Sequence, residues 1–167
     1  MSQANRLHKA LVLLLLWAFT QSTNLAAQPA WESFPHALPD LQGKTHRLQD
    51  WKGKLILLNY WASWCAPCQH EIRRLVLWQT RHGKQGLQVV GVGLDDPNKL
   101  ANVALALDIN YPVLVANPSD NRYLRVWGNQ TGAIPFSVLI NAQGQVLGRF
   151  TGILTSDDFT DLILPHL

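Results

Sequence analysis

The chain has two cysteines, and both stand in one short segment, Trp64-Cys65-Ala66-Pro67-Cys68. At this spacing two thiols on one helical turn can close a small disulfide ring and open it again. A thiolate at a helix N-terminus is stabilised by the positive end of the dipole and by backbone N–H groups without intrahelical partners. Pro67 suits a first turn, where its missing N–H would have had no partner. If the motif opens a helix, Cys65 lies on the exposed side as nucleophile. Cys68, one turn in and more buried, is then the resolving thiol. Three alternatives compete with a redox dithiol. A structural disulfide across two residues closes almost no loop and stabilises little. A zinc site needs two further ligands; His70 is near, but no second cysteine pair or paired-His helix accompanies it. A peroxidase of the Pro-x-x-x-Thr-x-x-Cys pattern would need Pro and Thr where this chain has Leu58 and Ala62. The residues favour the redox dithiol.

Such a dithiol needs a strand that ends before it and a helix that starts at it. Leu55 to Trp61 reads Leu-Ile-Leu-Leu-Asn-Tyr-Trp, an apolar run suited to a central strand covered on both faces. After the motif, Ile72, Leu75, Val76 and Gln79 fall at helical spacing, and Gly83 and Gly86 end the segment. Leu87 to Leu94 is a second buried strand. Asp95-Asp96-Pro97 opens a helix to Leu107, with acids and a proline where a helix N-terminus favours them. Tyr111 to Val115 predicts a short strand stopped by Asn117-Pro118, and Ser119 to Trp127 a short helix. Ile134-Pro135-Phe136 begins a strand to Ile140. Asn141 to Gly144 turns, and Gln145 to Phe150 returns as a hairpin. Thr155 or Ser156 caps a last helix, with Asp157 and Asp158 in its first turn. Upstream, residues 28–54 are rich in Pro, Gly and His, and a hairpin is expected from Leu41 to Leu48. This order argues for an α/β domain, a central mixed sheet flanked by helices.

The length of 167 residues suits one domain, and 47% hydrophobic against 15% charged residues excludes a disordered tail protein. The formal charge of +3 owes much to Arg6 and Lys9; without them 12 basic residues face 11 acidic ones. A body so near neutrality gives no electrostatic reason to expect nucleic acid as a partner. Arg6, His8 and Lys9 precede an apolar run from Ala10 to Phe19, then polar residues and Leu25-Ala26-Ala27. That is the layout of a secretory signal. The apolar run is too short to span a bilayer. Residues 1–27 are therefore expected to be a signal peptide cleaved after Ala27, with an uncleaved anchor as the alternative. Residues 28–167 form the domain, and export places it in an oxidising compartment.

Tyr60 to Cys68, Tyr-Trp-Ala-Ser-Trp-Cys-Ala-Pro-Cys, resembles the active-site segment of thioredoxin-like proteins. It is closest to the exported TlpA/ResA-type branch, which includes the cytochrome c maturation thioredoxins. Gly132-Ala133-Ile134-Pro135 and the following residues to Asn141 look like that family's cis-proline loop and next strand. Leu38 through Lys54 is similar to its N-terminal extension, and Asp95 to Tyr123 to its inserted helix and strand. The resemblance covers residues 35 to 165. It implies a thioredoxin-like fold in which Pro135 faces the dithiol and the Ile134 backbone pairs with a substrate chain. On the sequence alone, Pro135 fits equally a trans proline at a strand edge. The resemblance implies that Trp64 shields the disulfide and offers an apolar contact; ordinary core packing is the alternative.

Two departures bear on the chemistry. Thioredoxin carries a buried Asp where this chain has Asn59, and Asn cannot accept the resolving thiol's proton. The exported branch often lacks that Asp too. Glu71, three residues after Cys68, matches a common acidic position and is a candidate base, set against a place on the helix surface or in an ion pair. Second, Ala66-Pro67 lacks the His that strong oxidants of this fold carry, and resembles the Gly-Pro of reductants. Elsewhere, Asp95-Asp96 reads as helix-terminal acids rather than a metal site, and Asn129-Gln130-Thr131 as a formal glycosylation sequon. The expectation is an exported reductase of protein disulfides. It would need no cofactor and no metal, and a membrane thiol reductant would recharge it. An oxidase or isomerase of the same fold, or a metal-binding dithiol module, are the alternatives. The resemblance points to apocytochrome c as one substrate; the sequence itself names none.

Overall fold

The computed structural model describes residues 29–33, 37–120 and 122–167. The expected signal segment and its cleavage point lie outside the described residues. No helix among the described residues is long and apolar enough to cross a membrane.

The long apolar run forms a strand over Leu55–Trp61, buried at every position. It is β3, after a helical turn α1 (Ala30–Ser33) and a two-strand hairpin of β1 (Leu38–Pro39) and β2 (Thr45–His46). Helix α2 (Ala66–His82) leads from it to β4 (Leu87–Gly93), and α3 (Pro97–Ala106) leads to β5 (Val113–Val115). A short α4 (Arg122–Arg125) precedes the hairpin β6 (Phe136–Ile140) and β7 (Val146–Thr151), and α5 (Ser156–Asp158) continues into a π-helical turn at Phe159–Ile163. The sheet order is β5-β4-β3-β6-β7. β3, β4 and β5 run parallel, and β6 and β7 antiparallel to their neighbours. This is the expected mixed sheet with an N-terminal extension and an inserted helix and strand.

Period-two alternation between two covered faces explains why β3 is apolar at every position but Asn59. Ile56, Leu58 and Tyr60 pack with Val90, Val138, Leu124 and Trp127 on one face. Leu55 and Leu57 pack with Leu75, Trp78, Phe159 and Ile163 on the other, against α2 and the C-terminal turns. Each such side chain contributes about 1.5–3 kcal/mol by leaving water, and Leu57→Ala would cost about 2–5 kcal/mol. Asp96 caps α3 by accepting from the backbone N–H groups of Asn98 and Lys99 at 2.9 and 3.3 Å. Gly93 lets that helix close on β4, since a Cβ there would collide with Leu100.

Several boundaries differ from expectation. The N-terminal hairpin pairs Leu38 with His46 rather than running from Leu41 to Leu48. Asp40 makes the difference: its Oδ1 accepts from the N–H groups of Gln42 and Lys44, both at 2.9 Å, and turns the chain early. The helix expected over Ser119 to Trp127 shrinks to Arg122–Arg125. Asn117 and Asp120 side chains take the N–H groups of Ser119 and Arg122 at 2.9 and 3.1 Å, turn chemistry that competes with helix. At the far end of the sheet, the Ala30 N–H donates to the Gly144 carbonyl at 2.6 Å in the β6–β7 turn.

Candidate active site

β3 delivers the chain to the dithiol, and α2 begins at it. Cys65 is the N-cap of α2, and its Sγ accepts from the Cys68 N–H at 3.3 Å. The two cysteines form a disulfide with S–S 2.07 Å and Cα–Cα 5.3 Å. Cys65 is 5% exposed and Cys68 fully buried. The expected ranking of access therefore holds, but Cys65 is itself a buried residue. Both pack with Trp61, Ala62 and Ile72, and Ile134 packs against that same cluster. The Ile134–Pro135 peptide bond is cis.

Two more contacts fix the approach to the cysteines. The Gln69 side-chain amide donates to the Ser63 carbonyl at 2.7 Å, and the Ser63 hydroxyl donates to the Asp95 carboxylate. That hydroxyl holds the Asp95 carboxyl below its usual range, with help from the Asp96 N–H. Trp64, between them, is 72% exposed, so the core-packing alternative fails.

Beneath Cys68 lies a buried carboxyl. Glu71 is fully buried, which excludes the alternative of a place on the helix surface. One carboxyl oxygen accepts from the Asn59 amide at 2.7 Å, and the other from the Leu154 N–H at 2.7 Å. The same Asn59 amide lies 2.9 Å from the Ser137 hydroxyl. Burial pushes the Glu71 carboxyl up to about 7, against the opposing pull of those hydrogen bonds and of Arg74. Asn59 thus serves as a donor to a carboxyl on the neighbouring helix. Cys68 and Glu71 sit three residues apart on α2, side-chain neighbours on its inner face.

Sequence reasoning missed Asn129. It is 7% exposed; its Nδ2 donates to the Ala133 carbonyl at 2.8 Å, and its Oδ1 accepts from the Gly132 N–H at 3.0 Å and the Thr131 hydroxyl at 3.2 Å. One amide therefore holds the loop that presents Ile134 and Pro135. The sequon around it was visible in the sequence, but the residue's inward orientation was not.

A disulfide closed across two residues, at the joint of a central strand and a helix and packed against a cis-proline loop, defines a thiol–disulfide oxidoreductase of the thioredoxin-like class. The chain belongs to the AhpC/TSA family, whose model matches residues 32–149. It is similar to the thiol-disulfide oxidoreductase ResA of Bacillus subtilis, 32% identical over 133 residues, 77% of this chain and 72% of that protein. ResA of Geobacillus thermodenitrificans is 29% identical over 161 residues, 90% of this chain and 89% of that one. Among solved structures, a thioredoxin-family thiol:disulfide interchange protein from Chlorobium tepidum superposes with TM-score 0.66 at 28% identity, covering 84% of this chain and 97% of its own. StoA from Bacillus subtilis shares the fold, with TM-score 0.61 at 20% identity, covering 76% of this chain and 94% of its own.

Proposed function

We propose that the protein is an exported reductase of protein disulfides that works through the Cys65–Cys68 couple. The Cys65 thiolate attacks one sulfur of a substrate disulfide and expels the other as a thiolate, leaving a mixed disulfide. Cys68 then gives its proton to Glu71 and attacks Cys65 Sγ. The substrate leaves as its second thiolate, and the protein keeps the Cys65–Cys68 disulfide. Two electrons pass to the substrate. A membrane thiol reductant returns them. Residues 1–27 act as the export signal, and residues 28–167 as the working domain. Trp64 offers an apolar contact to the incoming chain, and the Ile134 backbone beside Pro135 pairs with it. Asn59 orients Glu71.

The observation that carries the reading is the joint itself: a reducible disulfide at a helix N-terminus, with a buried carboxyl that titrates near neutrality one turn in. Such a carboxyl can take a thiol proton at the pH where the exchange must run. The direction of electron flow is tested by equilibrating the purified chain from residue 28 in thiol–disulfide buffers. A midpoint at or below about −270 mV, the thioredoxin value, supports a reductant. A midpoint near −120 mV would reverse the direction and sink it.

A further inference from the structure

A groove of about 550 Å³ opens beside the Ile134–Pro135 loop, lined by Arg125, Val126, Trp127, Asn129, Arg149 and Thr151 among others. Its position follows from the register. Phe136 pairs with Thr151 and Val138 with Arg149, so Thr151 and Arg149 stand on the sheet face that carries Phe136 and Val138. Farther in, Leu124 and Trp127 cover that face. On β7 they do not, and Leu147, Arg149 and Thr151 are exposed. Asn129 joins groove and loop, because it lines the one and holds Gly132 and Ala133 of the other. The Gly152 N–H, next to Thr151, donates to the Pro135 carbonyl at 2.8 Å. The groove therefore adjoins the loop whose Ile134 backbone would pair with a substrate chain.

The lining carries two guanidinium groups and no carboxylate. Arg125 and Arg149 form no ion pair among the described residues, whereas the nearby Arg122 is held by Asp120 at 2.7 Å. In a body close to charge balance, two unpaired arginines over a partly apolar floor select one kind of ligand. Guanidinium binds carboxylates through paired, directed N–H donors.

We infer that this groove docks an acidic segment of the polypeptide whose disulfide is reduced, the carboxylates meeting Arg125 and Arg149. The inference rests on the reductase reading. It is tested with two disulfide-closed peptides that differ only in Glu or Gln residues beside one cysteine. Uncharged hydroxyethyl disulfide serves as a control that cannot reach the groove. At low salt, kcat/KM for the Glu peptide exceeds that for the Gln peptide by about fivefold, the sum of two exposed charge pairs. The preference shrinks at about 200 mM salt. It disappears in the Arg125→Gln/Arg149→Gln double variant, whose rate with hydroxyethyl disulfide is unchanged. Equal kcat/KM for the two peptides, or a preference that survives the double substitution, overturns the docking. Failure of the wild-type protein to reduce hydroxyethyl disulfide and both peptides overturns the reductase reading and the docking with it.

Discussion

Two carboxyl groups flank the dithiol, one on each side, and they are pushed in opposite directions. Glu71 lies below Cys68, fully buried, and its pKa rises to about 7 because burial disfavours the charged form. Asp95 lies beside the loop before Cys65, at the start of the inserted helix. Its pKa falls because Ser63 and a backbone N–H donate to the charged form. The same functional group is held toward its neutral form in one place and toward its charged form in the other. Each carboxyl accepts from a side chain and from a backbone N–H, so burial decides which way it moves, and the identity of the residue does not.

This contrast can be broken at either carboxyl. The largest effect is expected for Glu71→Gln. With the base gone, resolution of a trapped mixed disulfide by Cys68 slows about 100-fold, and its rise with pH through about 7 is lost; stopped-flow kinetics across pH reads both. An unaltered pH profile would remove Glu71 from the proton's path. Next comes stability. The folded-state pKa of Glu71 lies above the unfolded value of 4.5, so the native state holds an extra proton between the two. The Glu71 contribution to stability is then greatest below about 4.5 and declines as pH rises from there through about 7, by up to about 3 kcal/mol. Denaturant titrations of the oxidised protein should show that slope, and Glu71→Gln should flatten it. A third variant, Asn59→Asp, sets a second carboxyl within hydrogen-bond reach of the first. The pair must share a proton, so the upper ionisation moves above 7 by about one unit or more, visible as a second step in the rate profile. The smallest effect is expected from Asp95→Asn, which keeps an acceptor for Ser63. Turnover changes by about twofold or less, and the neutral limb of the pH profile stays in place. A shift of that limb would show that Asp95, too, exchanges a proton during turnover.

The strands were legible because burial on both faces leaves an unmistakable apolar run, and Leu55–Trp61 matches its expected bounds. The dithiol was legible because both cysteines fall in one motif. Glu71 was legible as a candidate base, but its burial, as against a place on the helix surface, was not, although its spacing carried a signal. Cys68, Glu71, Ile72 and Leu75 recur at three- and four-residue intervals, which puts the acid on the apolar face of α2. What hid it was the general expectation that glutamates stay in water, and its partners Asn59 and Leu154 are distant in sequence. The arginine groove was out of reach for the same reason. Arg125 and Arg149 meet only through the register of β6 with β7. Short turns set by Asp40, Asn117 and Asp120 moved boundaries because side chains captured backbone donors that a helix or strand would have used.

The bond from Ala30 to the Gly144 carbonyl gives the molecule a polarity. Strand β6 starts at Phe136, next to Pro135 and the cysteines, and leads to the turn that contains Gly144. The chain therefore enters the described domain, at position 29, at the pole opposite the dithiol. A fusion or tether attached ahead of that point therefore leaves the cysteine end open to an incoming polypeptide.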